Sequence, residues 1–326
     1  MPLHKKSIKQ QQFDSPGLFT AEMLGETVVP AEIIPVRLRP DASDDTFFFM
    51  SFGSGSSGNC AYVGDSKGGF LIDAGVDPQK VERELSNHGI QMTKVRGVVL
   101  THDHGDHVRY VYSFLRNNRH MLAYCTPKTM NGLLRRHSIS RRIREYHRAI
   151  YKEFEFTIGN FTITPFEVSH DGTDNVGYFI VHGNRTMAVA TDLGCITDRA
   201  RFYMSRVNAL VIESNYDLDM LRNGAYPDHL KARIEADNGH LDNKVSAAFV
   251  AEAWTPDLRH VFLCHLSHDN NRPEKAFNAH RDAMRAAHPE VSVGDGTQEH
   301  LSDLQIVVLP RFDATPLYGF KSEIKN

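Results

Sequence analysis

Long apolar runs are missing from these 326 residues, and none approaches the length of a membrane-spanning helix. A helical membrane protein is therefore excluded. The start of the chain, Met1-Pro-Leu-His-Lys-Lys-Ser followed by Gln-Gln-Gln-Phe-Asp, lacks the apolar core of a secretion signal. Cysteine is scarce. Cys60, Cys125, Cys195 and Cys264 are widely spaced and form no C-x-x-C pair. That argues against a disulfide framework and predicts a reduced, cytoplasmic setting, with the cysteines as small buried residues. An excess of one charge is also lacking. Lys and Arg number 37 against 40 Asp and Glu, a net charge of −3, so no global field draws this chain to nucleic acid. There is no internal repeat and no long low-complexity tract.

What the chain does have is histidine, 18 residues in all, and 41% hydrophobic content, enough for a sizeable core. The histidines concentrate at Thr101–His107, which reads T-H-D-H-G-D-H. An apolar run, Val95 and Val98–Leu100, precedes it with the pattern of a buried strand, and Val108–Leu115 follows with helical spacing. His102 and His104, two apart, project to one side of an extended backbone. Asp106 and His107 sit at the helix entrance, facing the same space. Imidazole nitrogen and carboxylate oxygen at this spacing suit zinc, manganese or iron.

Residues 1–45 read as a polar N-terminal extension and 46–310 as the compact domain. Residues 311–326 read as a loosely held C-terminal tail. The domain opens on the β-type run Thr46–Phe52 and passes into Gly53-Ser-Gly-Ser-Ser-Gly-Asn-Cys60. A loop so rich in glycine and serine either makes a hairpin turn or brings backbone and hydroxyls close to an anion. Helices are predicted at Pro78–His88, from Tyr110 to Asn117, at Pro127–Arg136, Asp217–Arg222, Tyr226–Glu235 and Val245–Trp254, and up to Ala287. Alternating patterns predict hairpins around Gly159-Asn160 and Gly183-Asn184. The order of strands and helices suits two sheets packed face to face with helices outside, in one α+β domain. Arg135–Arg144 is the one strong cluster of positive charge, either a solvated face or a phosphate contact.

Several strands end in polar groups: Asp73, His102, His104, Asp106, His107, His170, Asp192 and His265. H-x-H-x-D-H followed by a later His, Asp and His resembles the ligand series of the metallo-β-lactamase fold hydrolases, over roughly residues 46–310. The resemblance implies an αββα sandwich of two mixed sheets. It also implies two divalent ions, one held by His102, His104 and His170, the second by Asp106, His107 and His265, with Asp192 bridging. An aspartate at 192 points to the phosphodiesterase and glyoxalase branches. His268 competes with His265, but His265 comes directly off its apolar run and is preferred. Asp73 reads as support for a ligand histidine.

A narrower match lies in Ser51–Cys60, in Glu213-Ser-Asn-Tyr-Asp, in Gly239-His-Leu-Asp-Asn243 and in His265-Leu-Ser-x-x-Asn-Asn-x-Pro-Glu. These segments resemble the YycJ/WalJ branch, whose members are implied to be DNA exonucleases. Asp242 stands where that family usually carries serine. The resemblance implies a phosphodiesterase in which two metals share a hydroxide and Asp106 or Asp192 takes the water's proton. His240 is the candidate for contacting the phosphate or protonating the leaving oxygen. Ser57, Asn59 and Asn243 are candidates for holding phosphate or bracing the site. DNA is the expected partner, and no membrane is expected. Two rivals remain: a same-fold hydrolase of an ester, lactone, thioester or cyclic phosphodiester, and a metal-stabilised regulatory protein without turnover.

Overall fold

The computed structural model describes residues 33–35, 46–297 and 302–320. Most of the predicted N-terminal extension lies outside those residues. Two eight-stranded mixed sheets form the centre. The first holds β1 (Ile33–Pro35), β2 (Phe47–Gly53), β3 (Cys60–Asp65), β4 (Gly68–Ile72), β5 (Val95–Val99), β6 (Leu122–Cys125) and β7 (His147–Ala149). The second holds β8 (Phe156–Ile158), β9 (Phe161–Glu167), β10 (Val176–His182), β11 (Arg185–Ala190), β12 (Ala209–Glu213), β13 (His260–Cys264), β14 (Val293–Gly294) and β15 (Leu304–Val308). A last strand, β16 (Tyr318–Phe320), returns to the first sheet between β1 and β2.

Every residue of β2 is buried, because its two faces meet two different cores. Phe47 and Phe49 join Phe70, Ile163, Tyr178 and Phe262 between the sheets. Phe48, Met50 and Phe52 join Leu71 and Val98 beneath the first helical layer. Strand side chains alternate between faces, so a strand covered on both sides reads as an unbroken apolar run. Burying each such phenylalanine contributes about 1.5–3 kcal/mol.

The helices α1 (Pro78–Asn87), α3 (Val111–Asn117) and α4 (Pro127–Arg136) cover the first sheet through Val81, Leu85, Phe114, Leu115, Met130 and Leu133. The helices α5 (Asp198–Met204), α8 (Asn243–Ala253) and α9 (Pro273–Ala287) cover the second through Met204, Phe249, Val250 and Met284. The result is the four-layered αββα arrangement expected. Between them lie the short α2 (Gly105–Val108), α6 (Leu218–Asn223) and α7 (Asp228–Glu235). No helix among the described residues is long and apolar enough to cross a membrane.

Three expectations need correcting. The helix after the histidine motif is two pieces, α2 and α3, because the Tyr110 N–H donates to Ala74 O (2.9 Å) instead of continuing the turn. Helix α8 starts two residues early, since Asp242 caps it by accepting from Lys244 N (2.6 Å) and Val245 N. An aspartate at that position thus serves as a serine would, both being good N-caps. The tail after residue 310 is not loose. Leu317, Tyr318 and Phe320 are buried, and β16 pairs with β2. The folded body therefore continues to residue 320.

Candidate metal centre

The strands are arranged so that the polar residues meet. β4 and β5 run parallel, as do β11, β12, β13 and β15. In open α/β sheets, ligands gather outside the carboxyl ends of such strands. Here β4 leads into Asp73, β5 into the Thr101–His107 loop, β9 into His170, β11 into Asp192 and β13 into His265, while β12 ends on Glu213. Asp73 (φ 60°) and His265 (φ 54°) both adopt the left-handed conformation. That conformation costs of order 1–3 kcal/mol for a residue with a Cβ, and such strain gathers at functional sites.

The Gly-Ser loop packs against the histidine loop. Asn59 N donates to Asp106 O (2.8 Å) and Gly75 N to Asn59 O (2.9 Å). A Cβ on Gly75 would lie 1.6 Å from Asp106 O, so only glycine fits. The close approach expected of this loop is made, at Gly58, to the protein's own backbone, where a Cβ would collide with Gly75 O. Asn59 braces the motif through Nδ2, 3.1 Å from Asp106 Oδ2, and through Oδ1, which accepts from Gly55 N (2.7 Å).

Overlapping sets of donor atoms lie within 4.8 Å of one another: His102, His104 and His170; His102, His107 and Asp192; Asp106, His107 and His265. His104 Nδ1 and His170 Nε2 are 3.2 Å apart. Asp106 Oδ2 is 3.3 Å from His265 Nε2 and 3.5 Å from His107 Nε2. Two buried atoms aimed into this space have no hydrogen-bond partner, His102 Nε2 and Asp192 Oδ2. The latter sits 3.2 Å from His107 Nε2 without the alignment of a hydrogen bond. Orphaned buried donors and acceptors are costly, and nitrogen and oxygen atoms at this spacing suit a divalent cation. The residues therefore fit a metal site.

The electrostatics agree. Burial, then the neighbouring His107, holds the His102 pKa well below the ordinary histidine value. Burial opposes protonation of His265 as well, but Asp192, Asp106 and Glu213 outweigh it and push its pKa up to about 10. Burial likewise opposes ionisation of Asp106, yet His107 and His265 bring its pKa down to about 2. Buried carboxylates here demand positive charge, and without a cation His107, His240 and His265 carry it.

Outer partners fix the rings. Asp73 Oδ2 accepts from His107 Nδ1 (2.7 Å) and from Thr101 Oγ1 (2.9 Å), and Oδ1 accepts from Thr101 N (2.8 Å). Asp73 thus lies against His107, one of the candidate ligands. Asp73→Asn is expected to weaken metal affinity about 10–100-fold with the fold intact, as measured by metal titration. His170 Nδ1 donates to Gly239 O (2.9 Å).

Two residues of the site were missed by sequence reasoning. Glu213 is fully buried. Its Oε1 accepts from His240 Nδ1 (2.7 Å) and His265 Nδ1 (3.0 Å), and its Oε2 from Leu193 N (2.7 Å). It ends an apolar strand run, the same signal that flagged Asp73. Asp171 Oδ1 lies 3.3 Å from His104 Nε2, while Oδ2 accepts from Arg233 Nε (2.8 Å). Its adjacency to His170 was its only signal.

The remaining predicted residues divide. His240 stands on the wall of a cavity of about 200 Å³, with Ser56, Tyr226, His265 and Ser267. Ser57 Oγ accepts from Arg311 Nη1 (3.1 Å). Asn243 does not line that cavity. It is buried, bonded to Ser214 Oγ (2.6 Å) and Asn271 Oδ1 (2.9 Å), so a phosphate-binding role for it is withdrawn. The His268 side chain is 71% exposed and bonds Asp269, away from the cluster that His265 joins.

Residues 69–266 match the family described as a β-lactamase superfamily domain. The chain is 34% identical over 229 residues to the exodeoxyribonuclease YycJ of Bacillus anthracis, covering 70% of this chain and 85% of that one. It is 29% identical over 235 residues to the exodeoxyribonuclease WalJ of Streptococcus pneumoniae, covering 72% and 87%. Among solved structures it resembles zinc-bound PqqB from Methylobacterium extorquens in fold, with a TM-score of 0.60 and 15% identity over 82% of this chain and 99% of that one.

Proposed function

Because this chain belongs to the metallo-β-lactamase superfamily, in its YycJ/WalJ-like branch, we propose that it is a two-metal phosphodiesterase acting as a DNA exonuclease. The observation that carries this reading is the convergence of seven candidate ligands beside a cavity walled by His240. His102, His104 and His170 would hold one divalent ion, Asp106, His107 and His265 a second, and Asp192 would stand between them. Zinc and manganese fit these donors best, with iron also compatible. Such ions supply charge to polarise a phosphodiester and to activate water at neutral pH.

The chain's own residues do the rest. Asp73, Glu213 and the Gly239 carbonyl accept hydrogen bonds from the Nδ1–H groups of His107, His265 and His170, which leaves each Nε2 free to ligate. Asp106 or Asp192 would accept the proton of the attacking water. A carboxylate only accepts, so Glu213 obliges His240 to donate from Nδ1 and turns its Nε2 toward substrate. From there His240 can give a proton to the leaving oxygen.

A polynucleotide is favoured over a small ester or thioester by the arginine cluster. It borders the histidine motif: His137 Nε2 donates to Asp103 O (2.7 Å), and Arg136 Nε lies 3.6 Å from Asp103 Oδ2. Arg141 and Arg142 beyond it are exposed, with no carboxylate partner among the described residues. A local track of this kind meets the need that a net charge of −3 leaves open.

The test is incubation of the purified full chain, with zinc or manganese, on end-labelled duplex and single-stranded DNA, RNA, a cyclic nucleotide and a thioester. Progressive shortening of DNA that stops on chelation is expected. Turnover of the cyclic nucleotide or thioester alone would replace this reading with the small-molecule one. Chelation that lowers the melting temperature while no substrate is turned over would mean a metal-stabilised regulatory protein.

A further inference from the structure

We propose that Arg311 and Phe312 form a nucleotide clamp, in which the guanidinium takes a phosphate next to the one being cleaved and the ring stacks on a base. This rests on the nuclease reading above and names how the strand is held. Both residues lie beyond 69–266, the span that matches the family domain. Sequence alone placed them in a loose tail.

Arg311 is half-buried and makes no ion pair among the described residues. Its bonds go to neutral groups only. Nη1 donates to Ser56 Oγ and Ser57 Oγ, both at 3.1 Å, and Nη2 to Leu266 O (2.6 Å). The acid acting on it, Asp269, does so through space and without a hydrogen bond, so a guanidinium drawn partly out of water is costly and an incoming anion offsets that cost. The location decides which anion. Leu266 follows His265, Ser57 lies two residues before Asn59, and Ser56 and Leu266 both line the cavity beside the histidines. An anion received there sits alongside any group held at the metal centre. Tyr226 and Ser267 on the same wall add hydroxyls, and the Tyr226 hydroxyl is already oriented toward Asp269 Oδ2 (2.8 Å).

Phe312 gives the second half. It is 62% exposed, one of five large apolar side chains left in solvent among the described residues. Its ring centroid lies 5.8 Å from the Arg311 guanidinium. Phe312 O accepts a hydrogen bond from Lys80 Nζ, which also donates to Phe52 O (2.7 Å) and so pins this backbone to the first sheet. An anchored, exposed aromatic beside a phosphate-binding arginine is the arrangement that grips single strands without reading sequence. Stacking on such a ring is worth about 1–3 kcal/mol per base.

The alternative is that Arg311 merely ties down the Gly-Ser loop. Binding separates the two. In a His240→Ala background, which keeps the metal and slows turnover, fluorescence anisotropy would follow a labelled single-stranded oligonucleotide across a salt series with manganese present. Adding Arg311→Gln is expected to weaken binding about 10-fold and to lower the slope of log affinity against log salt by about 1. Arg311→Lys should restore the slope and only part of the affinity, since a point charge replaces the fork. Phe312→Ala should weaken binding and leave the slope alone. Unchanged affinity and slope in Arg311→Gln overturns the clamp. So does a loss that Arg311→Lys fails to relieve in slope, since that marks a loop brace. If the His240→Ala parent binds no DNA and the wild-type chain degrades none, it is the nuclease reading that fails.

Discussion

His102→Ala and Asp192→Ala are each expected to empty the metal centre and to cut turnover of bis-p-nitrophenyl phosphate by more than about 100-fold, beyond the range of changes in supporting residues. The reason is geometric. His102 and Asp192 each contribute donor atoms to two of the four overlapping sets, and Asp192 lies within reach of His107, His170 and His265. Neither side chain belongs to the apolar cores between or outside the sheets, so the fold should survive. Metal analysis, far-ultraviolet circular dichroism and a melting curve with and without added zinc test all three statements. A wild-type chain should gain melting temperature with metal, because an ion that binds only the folded state stabilises it by mass action. Each variant should lose most of that gain. Wild-type turnover in either variant would sink the ligand assignment.

The fold was largely legible because its strands keep the patterns of covered sheets. β2 is apolar throughout since both its faces are buried, and the hairpins at Gly159 and Gly183 carry positive φ where the turns need it. The histidine motif was legible because ligands cluster at the end of one strand. What stayed hidden depended on contacts between distant segments. Glu213 resembles any polar residue closing a strand until the chain folds and sets it against His240 and His265. Asn243 looked like a site residue because its neighbours matched a pattern, yet its side chain turns into the Ser214–Asn271 network. β16 is only three residues long, too short for a periodicity to declare itself, and it is held by pairing with β2 from the other end of the domain.

For His240→Ala the expected result is the opposite of the ligand variants in one respect: metal content stays and kcat falls, by about 10²–10⁴ on DNA, the usual range for a lost proton donor. The leaving group sharpens this. A sugar oxygen departs poorly without a proton, whereas p-nitrophenolate departs without one. The loss should therefore be large on DNA and small on bis-p-nitrophenyl phosphate. This comparison also discriminates a second reading of the same geometry, because Asp192, Glu213, His240 and His265 themselves bring donor atoms within 4.8 Å. If His240 were a ligand of that set, its removal would lower metal content and both activities together. Glu213→Gln should show that mixed pattern, since Glu213 backs His265 as well as His240. A variant pair that separates, with His240→Ala losing only turnover of DNA and Glu213→Gln losing metal too, places His240 at the leaving oxygen and Glu213 behind it. Equal turnover of DNA by His240→Ala and wild type would remove His240 from the chemistry.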